Sequence, residues 1–174
     1  MTGFAIYLSK VLKDVVIEPH LVPLTGELLN PGVNVEDEAK LDVSARGFWQ
    51  NGGQRAFFDV KVFNPFAPTH TKITLQKAFD NNEREKKRGY NRRVIQLEHG
   101  TFTPLIFTPY GGAGREADNF IKSLASKLAQ KQGIHNSLMT NWIRTKLSFE
   151  LVRSALLCVR GTRVPSFKPV SVHV

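Results

Sequence analysis

A mixed α/β domain is predicted by three features of the sequence. Two β-rich runs, Leu41–Ala45 and Ala56–Phe63, flank the turn residues Asn51-Gly52-Gly53. Long stretches with helical apolar spacing, 75–93, 115–131 and 137–160, follow them. The segments alternate along the chain as helix, strand, hairpin, helix, strand pair and two helices. At 174 residues and 41% hydrophobic composition, the chain can bury a core of its own. A single domain is expected over 1–160, and a flexible tail over 161–174, where Pro165 and Pro169 interrupt regular structure.

Each element has its own warrant. Phe4, Leu8, Val11 and Leu12 stand at helical spacing, which predicts a helix over 3–13. Val15, Val16 and Ile17 predict a strand, which Pro19 and Pro23 confine to an edge. The stretch 25–39 is polar and turn-rich. Asp42 opens the first hairpin strand. The second has Val and Phe on both faces, as expected for a covered central strand. Leu75–Arg93 predicts a helix that is strongly polar after Phe79. Val94–Leu97 and Phe102–Phe107 predict a strand pair, or one strand interrupted near Glu98-His99-Gly100. Ala117, Phe120, Ile121, Leu124 and Leu128 form one apolar face of the 115–131 helix, which Gly133 ends. In the last helix Met139, Ile143, Leu147, Val152, Leu156 and Val159 are expected to point inward.

Composition narrows the partners. Lys and Arg number 24 against 15 Asp and Glu, a formal charge of +9. Such a balance favours a polyanionic partner, nucleic acid above all. There is no run of apolar residues long enough for a membrane span, and no secretion signal is evident. An intracellular, nuclear location is expected. The one cysteine, Cys158, excludes an internal disulfide and sits in an apolar run as a core thiol. His20, His70, His99, His135 and His173 show no zinc-ligand spacing.

The chemistry concentrates in the hairpin. Asp59 and Lys61 are two residues apart, so they project from one face of their strand. A carboxylate and an ammonium in so apolar a strand are costly to bury without a partner or a metal. Together with Asp42, they are the residue types that a metal-dependent phosphodiesterase requires. Carboxylates hold Mg²⁺, the metal polarises phosphate and helps generate hydroxide, and a lysine orients water or offsets charge.

These residues resemble the PD-(D/E)XK, or restriction-endonuclease-like, nuclease superfamily. The resemblance implies an αβββαβ core with a mixed central sheet, here followed by two C-terminal helices. It places Asp42 at the start of the second strand and Asp59-Val60-Lys61 on the third. It implies Asp42, Asp59 and Lys61 as catalytic residues, with Asp42 and Asp59 as ligands of Mg²⁺ or Mn²⁺ and the Val60 carbonyl also reaching the metal. The phrases DEAKLDVSARGFW, AFFDVKVFNPFAP, NEREKKRGYNRRV, LEHGTFTPLIF and WIRTKLSFELVRSALLCVRG are similar to retroelement-encoded proteins of animal genomes. That similarity implies an endonuclease that nicks DNA for integration. The superfamily's usual first-helix glutamate has no counterpart in 3–13, and Asp14, Glu18 or Glu27 are the available substitutes. The alternative is a catalytically inactive nucleic-acid-binding module of the same fold.

Other signals are weaker. Lys86, Lys87, Arg88, Arg92 and Arg93 can contact phosphates, or form a solvated face with pairs such as Glu83–Lys87. Lys87 and Tyr90 are candidates for the superfamily's polar residue on the helix after the third strand. Glu98 is expected to serve a turn or cap rather than catalysis. Gly111-Gly112-Ala113-Gly114 lacks a full phosphate-loop pattern and marks a tight start to the next helix. Phe48, Trp49, Phe57, Phe58, Phe63 and Phe66 are expected in the core rather than stacking on bases.

Overall fold

Arg55–Val62 (β3) is the central strand of a four-stranded sheet, and every other element is placed relative to it. The computed structural model describes residues 2–22, 40–49 and 53–160. The remaining elements are α1 (Thr2–Ser9), β1 (Val16–Ile17), β2 (Val43–Arg46), α2 (Leu75–Gln96), β4 (Thr101–Phe107), α3 (Arg115–Gln132) and α4 (Asn136–Arg160). Segment 23–39, containing Glu27, and the 161–174 tail lie outside the described residues, as does the side chain of Cys158.

The sheet order is β1-β2-β3-β4. β1 pairs antiparallel with β2, and β2 antiparallel with β3, with Val43 opposite Phe58 and Arg46 opposite Arg55. β3 and β4 are parallel, from Ala56 opposite Thr101 to Val62 opposite Phe107. A parallel neighbour requires a crossover, which α2 supplies. β4 is an edge strand, which accommodates Pro104 without an unpaired central position.

Alternation along β3 sorts the core into two sides. Ala56 and Phe58, with Val43, Ala45, Leu105 and Phe107 from the neighbouring strands, pack against α1, α3 and α4. Phe48, Phe58 and Phe120 meet there with ring centroids 4.9 to 5.1 Å apart. On the other face Phe57 joins Leu21, Leu41, Val94 and Phe102 beneath α2. The protein is thus an α/β fold with a mixed sheet between helical layers, ending in two C-terminal helices. Asp59 and Lys61 share the face of Phe57, so both point toward α2.

Several expectations need correction. Residues 94–96 do not form a strand. They are the last turn of α2, because Val94 is fully buried on the helix face that covers Phe57. The chain then turns at His99, which has a left-handed φ of 47°, and only Thr101–Phe107 is a strand. α1 stops at Ser9, short of the expected 13. In α4 the inward row is Met139, Ile143, Leu147 and Leu151. Val152 and Leu156 are exposed instead, because they fall on the opposite side of the helix from that four-residue row. Phe48, Phe57, Phe58 and Phe63 are buried as expected, whereas Phe66 is exposed.

Candidate functional site

The β2–β3 ladder stops at Val43 and Phe58, two residues short of Val60. The Val60 N–H on that side has no strand partner, and it donates to Asp42 Oδ2 at 2.6 Å. The Asp42 carbonyl in turn accepts the Glu18 N–H at 2.9 Å. Asp42 therefore joins the end of β1 to the middle of β3, with its carboxylate directed at the strand that carries Asp59 and Lys61.

Asp59 is buried on the α2 side, where the Lys86 ammonium sits 2.7 Å from its Oδ2. Lys61 Nζ reaches Glu85 Oε2 at 2.9 Å. Two adjacent helix residues thus pair with the two alternate strand residues below them. The Tyr90 ring, one turn along α2, lies 5.5 Å from Lys86 Nζ.

The electrostatics follow from that packing. Burial pushes the Asp59 carboxyl above the usual aspartate range. Lys86 pulls it back in part, and the charge of Asp42 adds to the rise. Burial alone would lower Lys86, but its bond to Asp59 and the charge of that carboxylate outweigh burial and hold the ammonium above its ordinary value. The partners therefore rise together for different reasons. Asp59 is a carboxylate whose ionised form needs a cation beside it, with a second carboxylate near enough to sharpen the need.

That donor chemistry fits a hard divalent ion. Asp42 and Asp59 offer carboxylate oxygens in a spot that already accommodates one cation, and Mg²⁺ commonly takes only one or two protein carboxylates and keeps several waters. Among the described residues, no three His, Cys, Asp or Glu side chains gather around one point. α1 contains no acid. Asp14 pairs with Arg55, and with Arg46 at 3.3 Å, at the hairpin-turn end of β2 and β3. Glu18 is exposed, and Glu27 lies outside the described residues.

The five basic residues of α2 have separate fates. Lys86 is on Asp59, and Lys87 is on Glu116 of α3 at 2.5 Å. Arg93 is buried. Arg88 and Arg92 are exposed, the latter donating to Gln96 at 3.2 Å. Glu98 accepts the Val22 N–H at 3.3 Å, a turn role. The Gly111–Gly114 stretch turns tightly into α3, with the Gly112 N–H on Thr108 Oγ1 at 3.0 Å.

The sequence reading missed Glu85 as the partner of Lys61, and Lys86 as the residue facing Asp59. A signal for the latter was present. The covered positions Phe79, Asn82 and Val94 lie on a helical row that passes through Lys86 and Tyr90. Comparison with family models, curated proteins and solved structures gives no match.

Proposed function

We propose that this chain is a metal-dependent DNA endonuclease of restriction-endonuclease-like fold, derived from a retroelement. The observation that carries the reading is the position of Asp42. Its carboxylate bridges onto the backbone of β3 between Asp59 and Lys61, within a helix–three-strand–helix–strand order. Asp42 and Asp59 would hold Mg²⁺ or Mn²⁺, which when bound supplies Lewis-acid polarisation of the phosphate and a hydroxide nucleophile. Lys61, released from exposed Glu85, orients water and offsets phosphate charge. Arg88 and Arg92 face solvent on the same helix and suit the DNA backbone.

A second reading rests on the Lys86–Asp59 pair and on the acid-free α1: a module that binds nucleic acid without cutting it. A plasmid-nicking assay with Mg²⁺ or Mn²⁺, run beside Asp59→Ala and Lys61→Ala, separates the two. The endonuclease reading expects nicking by the native chain and its loss in both variants. Equal nicking by all three proteins sinks the proposed site. No nicking, together with DNA binding that weakens steeply with salt, favours the second reading.

A further inference from the structure

Helix α4 carries two apolar rows on opposite sides. Met139, Ile143, Leu147 and Leu151 face the core. Leu138, Trp142, Phe149, Val152 and Leu156 form the other row and are exposed, Phe149 at 71% and Leu138 at 63%. With Thr145 included, the outer row advances by four, three, four, three and four residues. This is the 3.5-residue repeat of a coiled-coil seam, whereas the inner row advances by four throughout. A contiguous apolar strip along a surface helix marks an interaction face.

The flanks of the strip select the occupant. On one side, next to the seam, stand Lys146 and Arg153; on the other stand the uncharged Asn141, Ser148 and Ala155. In a parallel, in-register pair, each basic flank meets the neutral flank of the other helix: Lys146 lies across from Asn141, and Arg153 from Ser148. An antiparallel pair would set the basic flanks against each other. The strip is therefore compatible with itself in one orientation, as a two-fold symmetric interface requires. Thr145, the one polar seam position, would fix the register.

We propose that two copies of this chain pair through the outer face of α4 as a short parallel coiled coil. The pairing rests on none of Asp42, Asp59 and Lys61, so it stands or falls apart from the nuclease reading.

Light scattering on the eluting full chain tests it. The expected mass at micromolar concentration is twice the 19.6 kDa of one copy. Phe149→Glu with Val152→Glu should return it to one copy while circular dichroism keeps its helical content. A single-copy mass for the native chain, as when another segment or partner covers the strip, overturns the proposal. So does a dimer that both glutamates leave intact. Orientation is read from Val152→Cys in a Cys158→Ser background, independently of whether the charged variant folds. Parallel pairing brings the two new thiols together, and oxidation should give a covalent dimer. Without that cross-link, the parallel arrangement is wrong.

Discussion

Lys86 Nζ lies 2.7 Å from Asp59 Oδ2, so the buried carboxylate of the candidate site already holds a cation. A divalent ion would have to displace that ammonium. Lys86→Gln removes the competitor and leaves a neutral polar side chain beneath Tyr90. Mn²⁺ should then bind about tenfold more tightly, a gain of about 1.4 kcal/mol. In a melting experiment Mn²⁺ should raise Tm more in Lys86→Gln than in the native chain, and chelation should abolish both shifts. Identical shifts in the two proteins would separate Lys86 from the metal.

Asp42 has a structural duty besides any catalytic one, and two substitutions resolve them. Asp42→Ala leaves the Val60 N–H without its acceptor, at a cost of about 1–2 kcal/mol in denaturant unfolding. Asp42→Asn keeps a carbonyl oxygen there and should stay near native stability. Nicking should disappear in both variants, because the carboxylate charge is gone from each. An active, stable Asp42→Asn would assign Asp42 to the fold alone.

Asp14 is occupied at the far end of the hairpin. Its carboxylate pairs with Arg46 and Arg55, and Arg55 also donates to Ser44 Oγ at 2.9 Å. Asp14→Asn should therefore leave nicking unchanged. The ion pairs are partly exposed, so the stability loss should stay within about 1 kcal/mol. Asn also tolerates the left-handed backbone at this position, where φ is 59°. A loss of nicking in a stably folded Asp14→Asn would restore Asp14 as the missing acid.

What the sequence made legible was local. Period-two alternation identified β3 and put Asp59 and Lys61 on one face, and helical spacing located α2, α3 and α4. It failed where tertiary contacts decided the outcome. Val94 and Leu97 have the composition of a strand, yet packing on Phe57 keeps residues 94–96 helical. Val152 and Leu156 match an inward row by hydrophobicity, but which apolar face of α4 meets α3 depends on residues far away in the chain. The pairing of Asp59 with Lys86 was hidden for a related reason. It needs the parallel β3–β4 arrangement that lays α2 over the sheet, and no local pattern specifies that crossover.

That crossover returns to the sheet at Gly100, which leads to a pair of predictions of opposite sign. A Cβ on Gly100 would stand 2.7 Å from the Arg55 carbonyl oxygen and 2.7 Å from a Phe57 ring carbon, so β3 itself would have to move. Gly100→Ala should cost about 1–3 kcal/mol. Gly89, within α2, has open space around the same atom. Gly89→Ala should stabilise the protein by about 0.5–1 kcal/mol, by restricting the unfolded chain and favouring the helix. Urea unfolding of the two variants measures both, and a harmless Gly100→Ala would contradict the close approach at this corner.

Glu83 links α2 to the start of α3, where its carboxylate accepts the Glu116 N–H at 3.1 Å. Burial pushes its pKa above the ordinary 4.5; the Glu116 N–H opposes the rise, the Glu116 charge adds to it and Lys87 opposes it. The native state therefore binds this proton more tightly than the unfolded state. The corresponding stability is fully present below pH 4.5 and is lost as pH rises through the folded-state value. Glu83→Gln keeps an acceptor for the Glu116 N–H but cannot ionise. Its stability relative to the native chain should be greatest near neutrality and should shrink as the solution is acidified toward 4.5. Chemical denaturation of both proteins across that range gives the difference directly. A constant difference would mean that Glu83 ionises equally well in the folded and unfolded chain.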